Sequence, residues 1–170
     1  MPILSNLEDL AGLRDPQGGR PGLLALDVSR RAIGVAGADP SWRLASPLLT
    51  IRRRGFAKDV AALRALIDER EARALVIGWP LNMDGSEGPR CQAVRQFAKE
   101  LDAELGLPML LYDERLSTFA AEEAAERAGL RGRRREEMLD ALAAAAILQD
   151  ALDGLARAAG GRQRLVSRPA

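Results

Sequence analysis

Three acidic positions in this chain stand where chemistry would be convenient. Asp27 ends the apolar run Leu23-Leu24-Ala25-Leu26, the pair Asp113-Glu114 ends a second run, Met109-Leu110-Leu111-Tyr112, and Asp140 opens the alanine-rich segment Ala141 to Leu148. Carboxylates that converge from such positions bind a divalent cation, and bound divalent metal performs phosphoryl chemistry. The chain has no histidine. A Ser-His-Asp or Cys-His arrangement and a His-ligated zinc are therefore excluded. Acid–base work falls to Asp, Glu, Lys, Tyr or water activated by a metal. Cys91 stands alone, so there is no intrachain disulfide and no thiolate zinc site. A small buried residue on a helix is its expected role.

Each acid also has an ordinary explanation. Asp27 would begin a turn by bonding its own backbone. Asp113 or Glu114 would make a strand-end ion pair with Arg115 or a neighbour. Asp140 would serve the dipole at a helix start. Adjacent strand residues point to opposite faces, so at most one of Asp113 and Glu114 can share a face with Asp27. On a helix, Asp140 shares its stripe with Ala143, Ala144 and Ile147, and small side chains there let the helix approach a sheet closely.

The elements that must position these acids follow from the apolar pattern. Leu23 to Val28 predicts a buried strand, Ser29-Arg30-Arg31 a tight connection, Ala32 to Ala38 its hairpin partner, and Leu44 to Arg54 a third strand. Three consecutive strands make an antiparallel meander. Val60, Leu63, Leu66 and Ile67 at three-four spacing predict a helix. Ala74 to Gly78 is the next strand, and Trp79 to Ser86 a polar loop broken by Pro80 and Gly85. Pro89 suits the first turn of a helix whose apolar face is Val94, Phe97, Ala98 and Leu101. Met109 to Tyr112 is the fifth strand. Ser117 or Thr118 caps a further helix, and a long last helix runs from about Arg135 to about Arg157. The fold class is α/β with a five-stranded mixed sheet, the meander plus two parallel strands, flanked by helices.

A length of 170 residues, 47% hydrophobic and 29% charged, suits one soluble domain with a real core. Residues 1–20 are expected to be an extension in which Leu4, Leu7, Leu10 and Leu13 form a short helix that could serve a dimer interface. Residues 21–158 form the domain, and 159–170 a flexible tail. No apolar run approaches the roughly 20 residues that span a bilayer, and the start lacks the pattern of a secretory signal, so no membrane association and a cytoplasmic location are expected. Net charge is only +1, but arginines cluster at Arg30-Arg31, Arg52 to Arg54 and Arg131 to Arg135. Their planar forks suit phosphate.

Four blocks, in order, resemble the YqgF/RuvX family of RNase H-like nucleases. They are Leu26 to Ala36, Gly78 to Arg90, Asp113-Glu114-Arg115-Leu116-Ser117-Thr118, and Asp140 to Gln149. The resemblance covers about residues 22 to 153, and its long central loop and its Asp-Glu-Arg-Leu-Ser-Thr block are the specific parts. It implies an RNase H-like fold and a bacterial cytoplasmic nuclease that trims the 5′ end of pre-16S rRNA, with a ribosomal precursor particle as setting. Resolution of branched DNA at Holliday junctions, and a catalytically weak RNA- or ribosome-binding module, are the alternatives. By motif position it makes Asp27, Glu114 and Asp140 the catalytic and metal-binding triad for Mg²⁺ or Mn²⁺, which selects Glu114 over Asp113. Arg30, Arg31, Asn82, Arg90 and Arg115 are the candidate substrate contacts. Ser29 stands where the family usually has glycine. Either a monomer or a homodimer is compatible with this pattern.

Overall fold

Apolar residues on both faces of one strand identify the centre of the sheet. In the computed structural model, which describes residues 3–114 and 117–166, this strand is β2 (Gly22–Val28). Leu24, Leu26 and Val28 join one buried cluster and Leu23 and Ala25 another, the pattern of a strand covered on both sides. The chain returns antiparallel through the Arg30-Arg31 turn, where the Ser29 N–H donates to the Ala32 carbonyl at 2.9 Å, into β3 (Ala32–Ala38). Strand β4 (Ala45–Arg52) completes the expected meander.

Helix α2 (Phe56–Arg70) carries the chain back to β5 (Ala72–Trp79), parallel to β2. Helix α3 (Pro89–Leu105) does the same for β6 (Met109–Asp113), parallel to β5. Both helices cover one face of the sheet through Val60, Leu63, Val94, Phe97 and Leu101. Cys91 is fully buried on α3, as expected. After α4 (Ser117–Arg127), the long α5 (Gly132–Val166) crosses the opposite face over β2, β3 and β4. Its buried stripe includes Ala141, Ala144, Ile147 and Leu148. Each fully buried leucine in these layers stabilises the fold by roughly 1.5–3 kcal/mol relative to exposure.

Some expectations change. The sheet has six strands rather than five, in the order β1-β6-β5-β2-β3-β4. The added β1 (Ile3–Leu4) pairs parallel with Met109 and Leu110 of β6, and two residues are too few to show a strand period. Within the N-terminal extension, the expected short helix is present and packs on the domain. Asn6 caps α1 (Leu7–Ala11) by accepting from the Asp9 N–H, Leu10 is fully buried, and Leu4, Leu7 and Leu13 pack on the core beneath α5. The leucine stripe offered for a dimer interface is thus used within the chain. Helix α5 continues to Val166, past the expected end near Arg157 and through residues assigned to a flexible tail. The rest of that tail, 167–170, lies outside the described residues.

Candidate active site

Strand parity brings two of the three acids to one face. Asp27 has the parity of Leu23 and Ala25, and Glu114, just beyond β6, that of Leu110 and Tyr112. All four of these neighbours belong to the cluster under α5. Asp113 has the opposite parity. Asp140 arrives from above on α5, and a glycine makes its approach possible. Gly34 pairs with Asp27 across the β2–β3 ladder, and a Cβ at Gly34 would stand 1.9 Å from the Asp140 carbonyl oxygen. No residue but glycine lets α5 lie this low beside Asp27. Gly78 on β5 does the same for the third acid: a Cβ there would meet the Ile147 Cδ1 at 2.6 Å and the Glu114 Cγ at 3.2 Å.

The three carboxylates line one cavity of about 400 Å³, with Ser29, the Pro80–Asn82 segment, Gly88 to Arg90 and Thr118 around them. Asp27 is pushed up from 3.8 to about 7, by burial first, then by the charges of Glu114 and Asp140, with Arg90 acting the other way. Asp113 is absent from the charges that move it. Burial also raises Glu114, while a hydrogen bond from the Ser117 hydroxyl and the charge of Arg90 lower it. Burial raises Asp140. Like charges crowded away from water favour protonation of one another, and such perturbed groups concentrate where chemistry is done.

This arrangement fits a hard divalent cation by donor type. Among the described residues it offers three carboxylates, no nitrogen or sulfur ligand, and an excess of negative charge that Arg90 alone does not cancel. Among the described residues no group of three or more Asp, Glu, His or Cys side chains forms a ready-made metal cage. The acids share a cavity and a field rather than a closed ligand sphere.

The remaining sequence candidates separate. Arg90 lies on the first turn of α3, behind the N-cap Gly88 and Pro89, and lines the cavity. Asn82 lines it too, held by its side-chain N–H to the Ser86 hydroxyl at 3.0 Å and by the turn in which the Gly85 N–H donates to its carbonyl. Arg30 and Arg31 stand exposed at the hairpin tip, away from the cavity lining. Arg115 lies outside the described residues. Ser29 does line the cavity, and its hydroxyl is turned back on the hairpin, donating to the Ala32 carbonyl at 3.0 Å. Ser117 was expected only as a cap. It also holds the Glu114 carboxylate, and its position three residues after that acid at a helix start was the available signal. Thr118 in the lining carried no signal beyond capping.

Comparison with known proteins agrees with this geometry. A family model described as RuvX, Holliday junction resolvase, matches residues 22–154. A protein of Rhodospirillum rubrum named "Putative pre-16S rRNA nuclease" is 52% identical over 158 residues, covering 92% of this chain and 96% of its own. One of Roseobacter denitrificans with the same name is 47% identical over 149 residues, covering 86% and 91%. Among solved structures, RuvC of T. thermophilus in complex with a Holliday junction substrate superimposes with a TM-score of 0.50 at 16% identity, covering 79% of this chain and 95% of that one. At that identity the likeness is one of fold, the RNase H-like arrangement expected from the motif blocks.

Proposed function

The chain belongs to the RuvX family, and from that premise we propose that it is a divalent-metal-dependent nuclease that hydrolyses phosphodiester bonds at the 5′ end of pre-16S rRNA. The observation that carries this reading is the convergence of Asp27, Glu114 and Asp140 on one cavity beside Arg90, with Asp27 raised to about 7 by burial and then by the other two acids.

Asp27 is the fixed point, because its strand is covered on both faces and cannot shift without disturbing the core. Glu114 is oriented by the Ser117 hydroxyl, and Asp140 by the contact of α5 with Gly34. When bound, Mg²⁺ or Mn²⁺ supplies Lewis-acid stabilisation of charge at the phosphate and lowers the pKa of water. The three carboxylates would hold it. Asp27 must lose its proton to join them, and Arg90 favours that loss. Arg90 also offers paired N–H donors to a non-bridging phosphate oxygen, and Asn82 an amide beside it. Water then forms the new bond to phosphorus as the bond to one sugar oxygen breaks. The setting proposed is the bacterial cytoplasm, on a ribosomal precursor particle.

The family's description makes junction resolution on DNA the second reading. It would use the same acids and a two-fold pair of chains, and the leucine stripe once available for pairing packs against this chain's own core, Leu10 fully buried and the rest partly so. Purified protein in Mn²⁺, offered a pre-16S 5′ leader and a four-way DNA junction, separates the two. Faster cleavage of the leader supports the proposal. Paired symmetric cuts in the junction, with the leader intact, would replace it. RNA binding unchanged by EDTA, with no cleavage in Mn²⁺, would reduce the protein to a binding module.

A further inference from the structure

A second cavity adjoins the first and has a different character. It occupies about 500 Å³ between the loop before α3, the start of α4 and the middle of α5. Met83, Ala120, Ala146 and Ile147 give it apolar walls, and Asp113, Glu114 and Asp150 edge it with carboxylates beside the Ser117 hydroxyl. Glu114 lines both cavities, so the two are neighbours at the candidate metal site. No arginine or lysine lines the second cavity among the described residues. A phosphate would be repelled there. A flat, largely apolar group bearing amino donors would be accepted.

Phe119 lines neither cavity itself, but its chain neighbours do. It lies on the first turn of α4, between Thr118, which lines the carboxylate cavity, and Ala120, which lines the apolar one. It is 64% exposed, and Met83 in the facing loop is 70% exposed. Exposed apolar side chains that neighbour an apolar cavity and are rimmed by polar residues mark a contact site, where a single exposed one would not. Their place beside the cavity of the three acids and Arg90 points to what covers them. A nucleotide whose phosphate reaches Arg90 and the three acids carries its base within reach of this wall.

We propose that Phe119, with Met83 and the apolar cavity, is a nucleobase-binding subsite that stacks an unpaired base of the substrate strand next to the scissile phosphate. The inference rests on the nuclease reading above and deepens it, making the substrate at the cut site single-stranded. A base within a duplex already has stacking partners on both faces and cannot lie flat on Phe119. Stacking on an aromatic side chain is indifferent to base identity, whereas the Glu114 and Asp150 carboxylates favour bases with exocyclic amino groups.

The test measures binding without turnover, in EDTA and low salt, so it does not depend on catalysis. A single-stranded RNA oligonucleotide series carries one 2-aminopurine whose fluorescence reports stacking, and a matching series carries an abasic ribose at the same position. With wild-type protein the fluorescence should fall at one position of the series. Phe119→Ala should abolish that change and weaken binding about tenfold, in line with the loss of one base–aromatic stack. Phe119→Trp should restore both, and the abasic oligonucleotide should bind wild type and Phe119→Ala alike. Equal affinity of wild type and Phe119→Ala for the intact strand would overturn the subsite alone. An equal loss on intact and abasic strands would also overturn it, since a missing base cannot stack. Failure of the wild-type protein to bind any nucleic acid, both in EDTA and in Mn²⁺, would overturn the nuclease reading and the subsite with it.

Discussion

Replacing Asp27 with asparagine should stabilise the metal-free protein while abolishing its cation response. The folded chain holds Asp27 at about 7 against 3.8 for an unstrained aspartate. The folded state therefore binds more protons than the unfolded state between about pH 4 and pH 7, and ionising Asp27 across that window lowers stability. At about 1.4 kcal/mol per pH unit the full cost is no more than about 4 kcal/mol. Water entering the open cavity and local relaxation reduce this to about 1–2 kcal/mol. Asparagine keeps the shape and carries no charge, so Asp27→Asn escapes the cost. Its advantage should be small near pH 4, grow through the window and level off above pH 7. For a chain of this size it amounts to about 2–8 °C in Tm. Thermal unfolding followed by circular dichroism in EDTA at pH 5 and pH 8 reads it directly. Adding Mn²⁺ at pH 8 should then raise the Tm of wild type and leave Asp27→Asn unmoved. A variant less stable than wild type at pH 8, or an advantage equal at the two pH values, would refute the electrostatic account of this site.

Further substitutions probe the framework. Gly34→Ala sets a Cβ against backbone of α5, which cannot yield locally, and should cost at least about 2 kcal/mol in urea unfolding. Gly78→Ala meets mainly the movable end of Ile147 and should cost less in the same experiment. Arg90→Ala removes the charge that lowers both Asp27 and Glu114. The acid limb of its pH–rate profile should move to higher pH, and the dependence of log affinity on log salt should flatten by about one ion. Ser117→Ala removes the hydroxyl that lowers Glu114. It should move the same limb upward while leaving the plateau rate near that of wild type.

Much of the domain was legible because its signals are local. The apolar runs before Asp27 and Asp113 and the three-four spacing of Val60, Leu63, Leu66 and Ile67 each show a period within one element, and the structure places elements there. The candidate triad was legible as three acids at element ends, with Glu114 separable from Asp113 only through strand parity and motif position. What the sequence concealed depends on partners distant along the chain. Gly34 and Gly78 look like ordinary strand glycines until α5 and Glu114 are seen lying on them. Ile3-Leu4 is a strand only because Met109 and Leu110 offer it an edge. The leucines after it read as a surface stripe because their cover, α5, lies far along the chain. The arginine candidates separate for the same reason: among the described residues Arg90, behind Pro89, faces the acids, whereas Arg30 and Arg31 stand at the hairpin tip.

The central claim is that Asp27, Glu114 and Asp140 act together on one divalent cation. Its most direct test is Mn²⁺-dependent cleavage of a pre-16S 5′ leader by rigorously purified wild type, Asp27→Asn, Glu114→Gln and Asp140→Asn. The account predicts cleavage by wild type that EDTA abolishes, and loss of at least about a hundredfold in each variant. Full metal-dependent cleavage by Asp27→Asn would contradict it.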